Sequence, residues 1–381
     1  MTDNKIKKVK DPLFHIIKRD GVVWWKGVLI RVAAFGLALI LVAVITFVIT
    51  GQNPIEMYKA MIDGAVGNEL RIWNLLQDTA LLLIVGLALT LSFKMKFWNI
   101  GGQGQIIMGA VAATACMKFL PGKVPNAALW IIMIASAITA GALWALIPGL
   151  FKAFLNTNET LFTLMMNYIA LNIAAFFTFR WSKNSGNNVI GILNRKTHDG
   201  WFPEVGGKDF VGRNFILNVA IVVVLTLIVF IYLNYSKHGY EISVVGGSEK
   251  TARYIGINVK KVIIRTVLIS GAICGLAGLI LVSGVHHTLT TDIEGGRGFT
   301  AIIVSWMAHF NPFFMALTSF LIIFLEKGAI QVASSPSLNL DDNFSKIVTG
   351  IIILFIIGCE FFINYKIVFR RGKGGSRKCS K

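Results

Sequence analysis

Two short stretches combine glycines with uncharged hydrogen-bonding side chains, and they are the residues best suited to recognising a solute. The first is Asn99-Ile100-Gly101-Gly102-Gln103-Gly104-Gln105. Glycine permits backbone angles and close approaches that other residues resist. Asn99, Gln103 and Gln105 each offer donors and an acceptor without a charge. Such a set suits a neutral solute rich in hydroxyls or ring nitrogens. The same composition also describes a tight small-residue contact between helices, and both readings stay open. The second stretch is Gly295-Gly296-Arg297-Gly298-Phe299-Thr300. The GGxG pattern of residues 101–104 recurs at 295–298. An inverted repeat would produce that recurrence, and such repeats place binding sites at broken helices; coincidence explains a four-residue match as well.

Further candidates follow along the chain. Thr300, Ser305, Trp306 and His309 put polar groups and a broad ring on one short apolar segment. Trp306 can stack on a flat ring or simply pack, and a histidine here is either a solute contact or hydrogen-bonded structure. Asn167, beside Tyr168, carries the same two readings.

A different chemistry lies in residues 236–261. Ser248 suits a helix cap, Glu249 suits the positive end of the helix dipole, and Gly256 suits a stop. Ala252 and Ile255 share a face, with Lys250 and Arg253 elsewhere. The spacing predicts a helix of about two turns, too short to be stable alone. Such an element fits a partner's groove or serves as a connector on the lipid surface.

Catalytic motifs are missing. The chain has no GxxxxGK[ST] phosphate loop, no HExxH, no GxSxG and no Cys/His cluster of metal-ligand spacing. Cys116, Cys274, Cys359 and Cys379 have neither metal-like nor disulfide-like spacing. The chain is therefore expected to form a path rather than to be an enzyme, with no cofactor of its own.

The elements that must position these groups are membrane spans. Of 381 residues, 55% are hydrophobic and 15% charged, and the mean hydropathy is +0.68. Soluble domains are closer to about a quarter charged. That balance excludes a water-exposed globule, a disordered chain, collagen and a disulfide scaffold, and only 8 prolines argue against barrel-like turns. Apolar stretches near 27–50, 74–92, 97–119, 127–149, 160–180, 214–235, 262–284, 298–311, 313–333 and 344–366 predict an all-α polytopic membrane protein of about ten spans. The stretch 27–50 is too long for a signal peptide.

With the N-terminus inside, the inner segments 1–26, 93–96, 151–159, 236–261 and 367–381 carry Lys and Arg at more than twice the density of the outer ones. This predicts basic cytoplasmic tails at 1–26 and 367–381 around one transmembrane domain, 27–366, in the plasma membrane. The formal charge of +18 follows from that retention, so nucleic acid is not an expected partner. The outer loop 181–213, with Trp181, Trp201 and Phe202, either packs over the outer mouth or lies solvated at the interface. Among charges in apolar stretches, Glu159, Arg265 and Glu360 lie near inner ends, where snorkelling suffices. Glu326 and Lys327 are adjacent, so they point to different helix faces.

Several segments together resemble a known family. Phe97-Trp98-Asn99-Ile100-Gly101-Gly102-Gln103-Gly104-Gln105 resembles the FNIGxEGQ signature of ABC importer permeases for ribose-like sugars and nucleosides. Residues 158–170, NETLFTLMMNYIA, are similar to that family's NEvisTLMLNYIA segment and lean toward its nucleoside branch. Residues 245–257 resemble the vGxnpxAARYxGI coupling segment, and Ser270 to Gly278 its SGAlaGLAG run. The resemblance spans roughly residues 74–360.

It implies a type II importer permease with broken helices and a cytoplasmic coupling helix formed by Ser248, Glu249, Ala252, Arg253, Tyr254 and Gly256. It implies cytoplasmic ATPase partners that hold the ATP, a second permease subunit that is a paralogue, and an extracellular substrate-binding lipoprotein, all at a lipid membrane. A solute pathway bordered by Asn99, Gln103, Gln105, Asn167, Thr300, Trp306 and His309 follows. The sequence departs from the family pattern at Gln103, where Glu is usual, at Thr300, where Asp is frequent, and at Trp306, where residues are small. These departures bear on the solute, with nucleosides first and ribose or other simple sugars second. An ion-coupled secondary transporter is the reading from another class, although no row of carboxylates suggests a proton relay. A channel or membrane scaffold is a third.

Overall fold

The computed structural model describes residues 14–18, 24–51, 53–182, 190–206, 210–334 and 342–369. The chain divides into two units, one of residues 1–60 with 332–381 and one of residues 61–331. In the first, helix α1 (Trp24–Thr50) packs against α13 (Asp342–Asn364). Short strands β1 (Phe14–Lys18) and β2 (Tyr365–Phe369) pair antiparallel beside them, Phe14 opposite Phe369. The pairing places strands where plain tails are expected: β1 lies within 1–26 and most of β2 within 367–381. Helix α2 (Pro54–Val66) follows α1.

The second unit holds α3 (Glu69–Lys94), α4 (Gly102–Phe119), α5 (Asn126–Leu155), α6 (Glu159–Trp181), α7 (Ile216–Tyr235), α8 (Lys237–Gly247), α9 (Glu249–Tyr254), α10 (Val259–Ile280), α11 (Arg297–Met307) and α12 (Pro312–Ala333). A π-helical turn, Leu281–His286, extends α10. Starts are set by side-chain caps: Asn68, Asn158 and Asn258 accept from the backbone N–H three residues on, at 2.8, 3.2 and 3.1 Å.

Each of the ten apolar stretches corresponds to a helix. Among the described residues, seven helices are long and apolar enough to cross a membrane. Helix α11 is short, as the short apolar stretch 298–311 implies: its 11 residues rise only ~16 Å at about 1.5 Å each, near half a bilayer core. Helices α2 and α8 correspond to no predicted span. Amphipathic and polar pieces of this kind escape a search for apolar runs.

The core runs along α3 and α10. In the most apolar window of α3, 89% of residues are buried, against 22% in α5, so α3 is enclosed by other helices while α5 presents much of its surface to lipid. Helix α10 meets α5 and α4 through small residues. A Cβ on Gly275 would overlap the carbonyl oxygen of Ala137, and one on Gly278 that of Ile106. Without a hydrophobic drive between helices in lipid, such backbone-to-backbone approach supplies the packing.

Gly275→Val is therefore expected to destabilise the bundle by about 3 kcal/mol or more, since backbone atoms cannot step aside. Gly36→Ala, where a Cβ meets nothing within 4 Å, leaves the melting temperature in detergent unchanged. Equal melting curves for the two variants would refute this account of the α5–α10 contact.

Candidate functional site

Helix α3 ends at Lys94, and the chain runs without regular structure to Gly101 before α4 begins. Side chains satisfy the backbone groups freed by this break. Asn99 and Gln105 are buried and face one another, Gln105 Nε2 donating to Asn99 Oδ1 at 3.1 Å. Asn99 Oδ1 also accepts from Gly101 N–H at 3.0 Å, and Asn99 Nδ2 reaches Ser270 Oγ on α10 at 3.4 Å. Asn167 on α6 closes the other side. Its Nδ2 donates to the Ile100 carbonyl at 2.9 Å, and its Oδ1 accepts from Gly104 N–H at 2.9 Å. Ile100 N–H donates to Thr163 Oγ1 at 3.2 Å. Broken backbone at membrane depth requires such partners.

The second glycine stretch comes to the first. Gly295 and Gly296 have φ of +57° and +75°, a left-handed turn that glycine adopts at little cost, and α11 starts directly after it. Gly298 sits on the backbone of Gln103, where an added Cβ would come within 2.7 Å of the Gln103 nitrogen. Glu294, only 1% exposed, joins the two helix starts. Its Oε1 accepts from Gln103 Nε2 at 3.0 Å and its Oε2 from Gly298 N–H at 2.9 Å. A carboxylate between two helix N-termini is favoured by both dipoles. Gln103 supplies a donor that a carboxylate at this position would lack.

Beside this junction lies an ion network. Arg297 Nη2 donates to Asp78 Oδ1 at 2.8 Å, and Lys327 pairs with the other oxygen of Asp78. Asp78 on α3 thus ties α11 and α12 to the core. Asp78 and Glu294 escape the sequence analysis, and Arg297 enters it only as part of the second glycine stretch. Asp78 was legible there as a carboxylate inside the apolar stretch 74–92; nothing local marks Glu294. Lys327 finds its partner on α3 rather than in its neighbour Glu326. Glu159 pairs with Lys152 at 2.9 Å, and Glu360 lies outside the described side chains.

Thr300, half-buried, turns its hydroxyl to the Gly296 carbonyl at 3.1 Å. Trp306 stacks on Trp98, ring centroids 5.1 Å apart and planes 19° from parallel, with Phe93 and Phe310 against it. Trp98, Phe299 and Trp306 remain 43–45% exposed, so one aromatic face stands open. His309 is exposed, in a turn with φ of +47°. Gln103, Thr300, Trp306 and His309 thus lie on or beside α11, whereas Asn99, Gln105 and Asn167 are behind them, engaged with each other and the backbone.

Residues 249–254 form the short helix α9 that the spacing predicts, between Ser248 and Gly256. Ser248 Oγ accepts from Thr251 N–H at 3.3 Å, and Gly256 has φ of +85°. Ala252 is fully buried, Tyr254 is 92% exposed, and Glu249 meets Arg253 at 3.4 Å. Gly246 and Gly247 are the last residues of α8, directly before the break at Ser248. At Gly246 a side chain would overlap the Lys94 carbonyl, so α8 touches the end of α3. Arg265 clamps α8 to α10 by donating to Glu241 at 2.9 Å. Burial pushes the Glu241 carboxyl up, but hydrogen bonds from Arg265 and His238 hold it below the ordinary carboxylate range.

The family described as branched-chain amino acid transport system / permease component matches residues 71–357. The guanosine ABC transporter permease protein of Bacillus subtilis is 28% identical, over 85% of this chain and 90% of its own. The nucleoside ABC transporter permease protein of Lactococcus lactis is 25% identical, over 93% and 92%. The glucose ABC transporter permease protein of Haloferax volcanii is 24% identical, over 87% of each.

Gln103→Glu, which sets two carboxylates together, is expected to lower stability by about 2 kcal/mol or more. Adding Glu294→Gln restores a donor–acceptor pair and most of the loss; additive effects in this double-mutant cycle would show that the two side chains do not interact. Asp78→Asn strands two cations, and breaking a buried pair costs roughly 3–5 kcal/mol. A melting temperature within a degree of wild type would remove the network's structural role.

Proposed function

The chain belongs to the branched-chain amino acid transport system / permease component family, and from that premise we propose that it is the membrane permease subunit of an ATP-binding cassette importer for nucleosides. The observation that carries the reading is family membership over residues 71–357, joined to two relatives named for nucleosides or guanosine that align along most of their length. The glucose permease relative supports a simple sugar as the second solute class.

In this reading α11 and the break before α4 border the solute path in the plasma membrane. Gln103, Thr300, Trp306 and His309 face it. Asn99, Gln105 and Asn167 hold the break open from behind. The exposed Trp98, Phe299 and Trp306 suit a flat ring, and a second permease subunit, a paralogue of this chain, closes the path from the other side. An extracellular lipoprotein delivers the solute. The chain has no phosphate loop, so ATP is bound and hydrolysed by separate cytoplasmic subunits.

Helix α9 couples them: its buried Ala252 anchors it, and the exposed Tyr254 and Arg253 meet the ATPase. Closure of the ATPase must bind one access state better than the other, since equal affinity for both shifts nothing.

The test is uptake of labelled nucleoside by vesicles carrying the whole assembly. Uptake should require ATP and survive an uncoupler; uptake that needs no ATP and collapses with the uncoupler would make the chain a secondary transporter. Tyr254→Ala and Arg253→Glu are expected to cut uptake about tenfold, a coupling loss of roughly 1.4 kcal/mol, with membrane insertion unchanged. Undiminished uptake would remove α9 from the coupling role.

A further inference from the structure

Where α10 starts, beside the end of α5, the outer wall of the bundle is concave. A groove of about 540 Å³ runs along α10 and is flanked by Phe154 from the last turn of α5. Its α10 lining is Lys260, Lys261, Ile264, Arg265, Leu268 and Ile269. That spacing repeats every three to five residues, so these side chains form one stripe on the helix. The stripe changes character along its length. Cations occupy its first turns and apolar side chains the rest. From Lys260 to Ile269 it rises ~14 Å at about 1.5 Å per residue, within one leaflet, whose hydrocarbon is half of a core of about 30 Å.

The cations are not consumed by the protein. Lys260 and Lys261 are exposed, and among the described residues neither meets a carboxylate. Lys260 lies 4.9 Å from the centroid of the exposed Phe154 ring, which holds its ammonium at the rim of the groove. Arg265 is committed to Glu241 at 2.9 Å. Asn258 spends its Oδ1 on the Lys261 N–H at 3.1 Å, which leaves its amide N–H groups as donors. Lys237 stands in an adjoining cleft that shares Asn258, Lys261 and Arg265. The first turn of α10 carries no acidic residue, although its dipole favours anions there and disfavours the two lysines.

The surroundings decide the occupant. Helices α5 and α10 are both long and apolar enough to span a membrane, and the groove opens on their outer side, so in a bilayer lipid is what fills it. An acyl chain covers Ile264, Leu268 and Phe154 whatever headgroup it carries. The lysines then select the headgroup. A phosphodiester with net negative charge is attracted, whereas a choline headgroup sets its own cation among them. Basic pockets at the cytoplasmic ends of membrane helices hold anionic headgroups in this way.

We propose that this groove binds one anionic phospholipid, with its phosphate held by Lys260, Lys261 and Asn258 and an acyl chain lying along Ile264, Leu268 and Phe154. The inference needs only that the chain spans a membrane, and not which solute it moves.

The full chain, purified in a neutral detergent, is titrated with phosphatidylglycerol or phosphatidylcholine, and bound lipid is counted by native mass spectrometry. One phosphatidylglycerol is expected to bind saturably and more tightly than phosphatidylcholine. Lys260→Gln and Lys261→Gln should each weaken it about fivefold, the scale of one basic side chain at an anionic lipid surface. Both lysines are exposed, so these variants should melt as the wild type does. Ile264→Trp, which fills the groove without changing charge, should also weaken binding. Lys250→Gln, an exposed lysine on α9 and outside the groove, should leave it unchanged. Equal binding of the two lipids overturns the site. So does equal weakening by Lys250→Gln, which would reduce the effect to the overall charge of this end. Displacement by millimolar glycerol phosphate would make the groove an aqueous anion site, and loss of the lipid from the assembled importer would assign it to a partner subunit; either result overturns the lipid assignment. ATP-driven uptake in a chain without lipid selectivity removes this site and leaves the transport reading intact.

Discussion

A single buried carboxylate holds two broken helices together. Glu294 accepts from the first turn of α11 and from Gln103 in the first turn of α4. Each helix start is a positive dipole end with unpaired N–H groups, and two such ends in a membrane interior would repel and stay unsatisfied. One negative charge satisfies both. The glycines are the steric condition for it, since at Gly298 any side chain would strike Gln103. The amides of Asn99, Gln105 and Asn167 then complete the hydrogen bonding behind the junction.

The ion network extends the same logic. Asp78 lies on the most enclosed helix, and an isolated carboxylate there would be costly. It binds Arg297 and Lys327 instead, fixing the start of α11 and one turn of α12 against α3. A pair of this kind adds little net stability over an apolar contact, yet losing one member is severe. Its consequence is geometric: α11 is held at the depth where its aromatic face stands beside the break before α4.

The two ends of the bundle differ in kind. At one end, glycine contact between α8 and α3 and the Arg265 clamp mount a short helix with an exposed rim, suited to receiving force from a partner. At the other, the loop after α6 is strapped to a π-helical turn by Phe202 N–H donating to the Ser283 carbonyl. Between them the paired breaks supply the irregular backbone that a solute path needs.

Much of this was legible in order of sequence range. Length and apolarity identify every major helix, because lipid demands about 20 apolar residues per crossing. Ser248 and Gly256 bracket α9 correctly, because caps and left-handed stops are local chemistry. The glycine–amide stretches mark both breaks for the same reason. What no local pattern carries is which groups meet across the fold. Residues 103 and 294 are far apart in the chain, as are 78, 297 and 327, and their pairing depends on how α3, α4, α11 and α12 cross. Gln103 reads as a free amide until Glu294 is seen accepting from it, and Asn99 and Gln105 read as free amides until each is found facing the other. Sequence chemistry sets what a side chain can bond; the packing of distant helices sets what it does bond.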